Sequence, residues 1–261
     1  LIVSLTTFPA RIKYVHIPIE SMLMQTVKPD MVILWLADSQ FPDREEDLPD
    51  ELLELKKYGL TIDWCDDIRS YKKLVPTLEK YPDAAVVTID DDLSYSPKLI
   101  EKLINGTRIH GNTICCHRAH RIEKSYENSN CLFLRKEVWF PYTHPSFLNQ
   151  LTSGAGTYFP AHSLYPDVTD KELFIKLAPT NDDIWFWLMA VLAGVRCYVV
   201  KGHECRLRHI PETMKGEMLS NYNNTGRFPV YEQMMNILNY YPQLKEILNA
   251  EWKREQKGGF A

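Results

Sequence analysis

The sequence predicts an α/β protein with a mostly parallel central sheet flanked by helices on both faces. Three observations predict it. Short apolar, β-branched runs recur through the first hundred or so residues. Segments of helical character alternate with them, the pattern of parallel strands joined by crossover helices. The clearest run, residues 84–89, stops at three consecutive aspartates. Sheets of this kind bind their ligands at the carboxyl ends of the strands.

In chain order, residues 1–5 are an apolar run ending in Thr6-Thr7-Phe8-Pro9, a buried strand followed by a loop. A helical stretch follows through 19–25, and 31–36 is a second buried strand. The acidic segment 41–55 ends in a helical pattern, 61–64 is a third strand, 73–80 a third helix and 84–89 the fourth strand. Beyond Pro97 the pattern loosens into a helix at 98–105 and strands near 113–117 and 131–134. A loop rich in Gly, Pro and Tyr spans 152–166. Residues 181–194 form a helix with Trp185, Trp187, Leu188 and Leu192 inward, 195–200 a strand, and 204–211 a charged segment. One or two terminal helices cover 230–252, interrupted at Pro242. There is no internal repeat, low-complexity tract or flexible linker, so one domain over 1–261 is expected.

Composition narrows the function. The 261 residues are 45% hydrophobic and 11% aromatic, enough apolar surface to offset chain entropy and exclude disorder. Thirty basic residues against thirty-four acidic ones give a formal charge of -4. A nucleic-acid-coating protein would need a basic surplus. No apolar run has the length to cross a bilayer. The amphipathic stretch 230–241 reads as a core-packing helix before it reads as a membrane contact. The chain begins at Leu1, inside a strand-like run, which leaves a preceding signal or anchor open.

Six cysteines (Cys65, Cys115, Cys116, Cys131, Cys197, Cys205) form no C-x-x-C pair and read as buried thiols. Cys115-Cys116-His117 with His120 lacks zinc-ligand spacing. Asn105 and Asn223 open glycosylation sequons, triplets that also arise by chance.

Asp90-Asp91-Asp92 at the end of a buried strand is the strongest chemical signal. Adjacent carboxylates repel one another, so stability alone does not favour them. Alternate residues of an extended chain point the same way, which lets Asp90 and Asp92 face one ligand while Asp91 turns aside. Two hard oxygen donors suit Mg²⁺ or Mn²⁺ holding a diphosphate; a solvated turn is the plainer explanation. Asn181-Asp182-Asp183 precedes an apolar, Trp-bearing helix and is either a helix cap or a general base at the edge of a partly dry pocket. Ser153-Gly154-Ala155-Gly156-Thr157-Tyr158-Phe159-Pro160 joins close-approach glycines to aromatic faces that suit sugars, or is an ordinary turn. Arg206-Leu207-Arg208-His209 offers guanidiniums for a diphosphate and an imidazole for a metal, or is a strand edge.

Taken in order, Ser4-Leu5-Thr6-Thr7-Phe8-Pro9-Ala10-Arg11-Ile12, Tyr71-Lys72-Lys73-Leu74, Val87-Thr88-Ile89-Asp90-Asp91-Asp92, the loop 153–160 and Ala178-Pro179-Thr180-Asn181-Asp182-Asp183-Ile184-Trp185 resemble a bacterial GT-A glycosyltransferase family associated with surface polysaccharides. The resemblance covers roughly residues 1–200. It implies a GT-A, Rossmann-like nucleotide-diphospho-sugar transferase fold with a nucleotide-sugar-binding half (1–118), an acceptor half (119–229) and C-terminal helices (230–261). It further implies a nucleotide-sugar donor, UDP expected, and a Mn²⁺ or Mg²⁺ ion. Asp90 and Asp92 would be the D-x-D carboxylates, Asp92 the direct ligand, with His209 the C-terminal metal-binding histidine. Thr6, Phe8 and Arg11 would line the nucleotide pocket, Asp66 or Asp67 would stand near the base, and Lys73 near ribose or phosphate. Asp91 and Arg206 would lie beside the donor. Asp182-Asp183 would be the acidic pair of an inverting enzyme, with Asp183 the general base, although the first member is Asp where Glu is common. Gly154, Tyr158, His162 and Trp185 would line the acceptor side.

The implied acceptor is a saccharide or a lipid-linked molecule. The latter would place a cytoplasmic enzyme at the inner membrane face. Two other readings compete. Asp90-x-Asp92-x-Ser94 resembles the nucleophile motif of haloacid-dehalogenase-like phosphatases, but that nucleophile normally follows the first strand, and Leu93 stands where Gly is usual. A non-catalytic carbohydrate-binding module would use the acids only as caps.

Overall fold

The apolar runs become the strands of a parallel sheet. The structure, a computed structural model, describes residues 1–125, 132–137, 144–200, 207–214 and 230–258. Strands β1 (Ile2–Thr6), β2 (Met31–Ala37), β3 (Leu60–Cys65) and β4 (Val86–Thr88) pair in parallel in the order β3-β2-β1-β4. Both faces of β1, β2 and β4 are covered, which is why their sequences are nearly continuous in apolar residues, whereas the edge strand β3 is mostly half-buried and admits Thr61 and Asp63. Val86 packs into one core and Val87 into the other, the two-residue alternation of a strand.

Three more strands extend the sheet past β4. They are β10 (Thr157–Phe159), antiparallel to both its neighbours, β6 (Ile114–Cys116), and β11 (Cys197–Val199), parallel to β6. Residues 152–166, expected to be a loop, thus carry a strand in the middle of the sheet. It is three residues long and flanked by Gly156 and Pro160, too short for a periodic signal. Two small antiparallel pairings sit apart. In one, β7 (Ala119–Ser125) lies between β8 (Leu132–Glu137) and β9 (Asn149–Leu151); in the other, β5 (Leu93–Ser94) pairs with β12 (Arg208–His209).

The helices are α1 (His16–Leu23), α2 (Asp50–Glu54), α3 (Val75–Lys80), α4 (Leu99–His110), α5 (Lys171–Leu177), α6 (Asp182–Leu192), α7 (Val230–Tyr240) and α8 (Gln243–Gly258). Side chains from α1, α2 and α4 fill one core, and those from α3, α5, α6, α7 and α8 the other. Helix α4 runs past its expected end at 105 because Gly106 is a packing residue. A Cβ there would lie 2.8 Å from Cys115 Sγ. Helix α3 begins at Val75, with Pro76 tolerated in its first turn, so Lys73 lies in the preceding 3-10 turn, Arg69–Lys73. Among the described residues no helix is long and apolar enough to cross a membrane.

Candidate active site

The acidic triplet lies where β4 ends, at the carboxyl edge of the sheet beside the loop after β1. Arg11 bridges two of the three carboxylates, and Lys73 holds the other. Asp91 is buried and accepts from Thr7 Oγ1 at 2.6 Å and from Arg11 Nη1 at 2.7 Å. Arg11 Nη1 also reaches Asp92 Oδ2 at 3.0 Å, and its guanidinium lies 5.5 Å from the centre of the Phe8 ring. Asp90 Oδ1 accepts from Lys73 Nζ at 2.5 Å. The backbone N–H of Asp90 donates to Tyr95 Oη, which in turn donates to the Gly154 carbonyl at 2.5 Å.

Burial works against ionising all three acids. Only for Asp90 is it outweighed, by the charge and hydrogen bond of Lys73, which hold that carboxyl below its usual range. Burial raises Asp91, and burial with the neighbouring charge of Asp90 raises Asp92. For Lys73, burial is outweighed by Asp182 and Asp90, so the ammonium stays charged.

Asp182 and Asp183 open helix α6. The cap itself is Asn181, whose Oδ1 accepts from Ile184 N at 3.0 Å. The capping explanation therefore accounts for Asn181, and the two aspartates are used elsewhere. Asp182 lies 3.3 Å from Lys73 Nζ and accepts from Ser70 Oγ at 2.8 Å and Ser153 Oγ at 3.2 Å. Asp183 Oδ1 accepts from Ser153 N at 2.7 Å and Ser153 Oγ at 2.6 Å. Burial first, and then the charge of Asp182, push Asp183 above the ordinary carboxylate range, against Lys73 and the Ser153 bonds. Lys73 and Ser153 thus tie the acids of the strand end to those of the helix start. The two acidic motifs, ninety residues apart in the chain, form one cluster.

Gly154 stands against the triplet. A Cβ there would fall 1.6 Å from Asp90 Oδ2, so only glycine fits beside that carboxylate. His209 pairs across from Leu93, and Ile210 N donates to Asp92 O at 2.9 Å. This places the exposed imidazole close enough for its charge to act on Asp92. Arg206 lies outside the described residues.

Several expectations are corrected. Lys73 makes internal ion pairs and is buried, so its ammonium is committed to Asp90 and Asp182 instead of facing ribose or phosphate. Trp185 is fully buried and its indole N–H donates to Val168 O at 3.1 Å, so it is a core residue and lines no acceptor surface. His162 follows β10 at the opposite edge of the sheet, exposed and 3.1 Å from Asp83, because β10 runs antiparallel to β4 and carries its end away from Asp90. Tyr158 lies mid-strand and packs on the core shared with α1 and α4. Thr6 donates to Trp35 O at 2.8 Å, and it is Thr7 that reaches the acids. Asp66 is exposed and paired with Lys171, while Asp67, at the same strand end, is held by Lys72. Cys115 contacts Thr107 and Cys116 contacts Cys197, on opposite faces of the sheet, so adjacent cysteines share no ligand site.

Beyond these, sequence reasoning missed Ser70, Tyr95 and Arg118. The last is exposed at the carboxyl end of β6, and its charge acts on Asp90. All three are polar side chains next to strand or helix ends, and each meets its partner only through the fold.

No family model matches the chain, and no curated protein matches it. Among solved structures the chain is similar to S. aureus TarS 1-349. For the complex with UDP the TM-score is 0.55 at 11% identity, covering 97% of this chain and 71% of that one. For the complex with UDP-GlcNAc it is 0.53 at 12% identity, covering 97% and 72%. A third TarS structure gives 0.50 at 12% identity over 92% of this chain and 42% of its own. The chain spans 58% of the TarS chain in another 1-349 structure. Identity this low speaks for the fold: α/β, with a mostly parallel central sheet flanked by helices, of the GT-A, Rossmann-like type.

Proposed function

We propose that this protein is a glycosyltransferase. It moves a hexose or N-acetylhexosamine from a nucleotide sugar to a hydroxyl of a saccharide or lipid-linked acceptor, with inversion. The observation that carries this reading is the single cluster formed by Asp90–Asp92 at the strand end and Asp182–Asp183 at the helix start, tied through Lys73 and Ser153. The TarS structures hold UDP and UDP-GlcNAc in a like fold, which favours UDP as the donor nucleotide here.

The donor end is the loop after β1 with the triplet. Thr7 and Arg11 fix Asp91, Arg11 also reaches Asp92, and the pairing of His209 with Leu93 brings that imidazole near Asp92. Among the described residues no three His, Cys, Asp or Glu side chains are grouped to hold a metal unaided. Asp92 with His209 still suits Mn²⁺ or Mg²⁺, since such ions commonly take one or two protein ligands and complete their shell with substrate phosphates and water. Once bound, the ion would neutralise charge on the departing nucleoside diphosphate. Asp183 is the general base. Its proton affinity, raised by burial and Asp182, suits uptake of the acceptor hydroxyl proton, and the two bonds from Ser153 fix one of its oxygens.

A calorimetric screen of UDP-, GDP- and CMP-sugars with and without Mn²⁺ tests the reading. Metal-dependent binding of one class is expected, and no binding of any in either condition would refute it.

A further inference from the structure

Arg118 is a third cation at the site, after Arg11 and Lys73, and among the described residues it makes no ion pair. The residue follows β6, which runs parallel to β11 and in the same direction as β4, so Arg118 emerges at the same edge as Asp90. Three hydrogen bonds lock it to Thr152. Thr152 N and Oγ1 each donate to the Arg118 carbonyl at 3.1 Å, and Arg118 Nε donates to Thr152 Oγ1 at 3.0 Å. Thr152 directly precedes Ser153, the residue that holds Asp183. With Nε anchored, the two terminal amino groups form a fixed fork. Five carboxylates cluster nearby, yet among the described residues the guanidinium makes no ion pair with any of them, unlike Arg11 and Lys73.

A rigid, exposed guanidinium fork matches a carboxylate or phosphate in bidentate fashion. The sheet order decides which substrate carries that anion. The loop after β1 and the triplet lie on the β4–β1 side, whereas β6 is two strands away in the other direction, across β10. This is the side of Ser153 and Asp183. We infer that Arg118 determines acceptor specificity by binding an anionic group, carboxylate or phosphate, carried by the acceptor near the hydroxyl that Asp183 deprotonates. The inference rests on the transferase reading for the word acceptor, and on geometry alone for the anion site.

The test is calorimetric titration of wild type, R118Q and R118K with methyl glucuronoside and glycerol 3-phosphate, against methyl glucoside and glycerol. Each titration is run with and without saturating UDP. The charged probes should bind wild type about 10- to 100-fold more tightly than the neutral ones. That preference should persist with UDP bound, vanish in R118Q and return in part in R118K. Equal binding of charged and neutral probes, or a preference retained by R118Q, overturns the proposal. So does a preference abolished by UDP, which would assign the anion to the donor diphosphate. If UDP fails to bind while the preference stands, the donor reading falls and the anion site remains.

Discussion

Replacing Lys73 with Met should expose the cluster's dependence on one buried cation. The change keeps length and removes charge. Lys73 Nζ lies 2.5 Å from Asp90 Oδ1 and 3.3 Å from Asp182 Oδ2, with the side chain only 8% exposed. At an effective dielectric of 20 those separations correspond to gross attractions of about 7 and about 5 kcal/mol. Desolvating the three charges offsets most of this, and removing one partner of a buried pair costs about 3–5 kcal/mol at neutral pH. The pH dependence gives the sharper check. In the wild type Asp90 is depressed by Lys73, so its contribution is present above the unfolded carboxylate value and is lost as pH falls through the folded one. Without Lys73 burial dominates, Asp90 is raised instead, and the variant is most penalised at high pH. Urea unfolding at pH 7.5 and pH 5 should therefore show a deficit that shrinks on acidification, and K73M/D90N should recover part of it. A deficit under about 1 kcal/mol at pH 7.5, or one that does not change with pH, would refute the assignment of Lys73 as the strut of the cluster.

Five further outcomes follow, the last from a separate buried carboxylate, Glu251, held by Arg196 and Arg254. D183N should lower transfer by about 10²–10⁴-fold with donor affinity nearly unchanged; because burial and Asp182 raise Asp183, wild-type turnover should climb with pH through a value above the ordinary carboxylate range. G154A forces a Cβ into Asp90 and should cost about 1–3 kcal/mol in chemical denaturation, with a disproportionate loss of nucleotide-sugar affinity by calorimetry. D92N or chelation with EDTA should weaken UDP-sugar binding, whereas W185F should lower Tm through its lost bond to Val168 and leave acceptor KM unaltered. E251Q should lose about 1–3 kcal/mol at neutral pH, since Arg196 and Arg254 overcome burial and hold Glu251 down to about 2; the wild-type advantage should fade in acid unfolding between the unfolded carboxylate value and that folded one.

Local pattern was enough for β1, β2 and β4, because a strand covered on both faces must be apolar along its length, and the runs ending at Thr6, Leu36 and Ile89 have no other use. It also located both acidic motifs, since carboxylates clustered at element ends stand out against a packed core. What it lacked was connection. Nothing near Ser153 signals that its hydroxyl will meet Asp183 thirty residues on. Lys73 reads as the first residue of a helix until the fold closes over it. Tyr158 and Trp185 were misjudged because aromatic side chains serve cores as well as sugars, and exposed His162 because the strand that carries it away from Asp90 gave no signal. Only the antiparallel course of β10 and the burial of α6 decide between the two.

The arrangement explains why two acidic motifs need each other. Five carboxylates share two paired cations, and a nucleoside diphosphate would add further negative charge on arrival. Burial has already raised Asp91, Asp92 and Asp183 above the ordinary carboxylate range. A divalent cation at Asp92 would reverse that balance, lowering the proton affinity of the acid beside it while meeting the charge of the diphosphate. Lys73 contacts both the strand-end and the helix-start acids, so a change in charge at the donor end is felt at Asp182 and, through Ser153, at Asp183. Under the proposed reaction, donor binding and the readiness of Asp183 as base would be coupled by electrostatics along this short path of side chains.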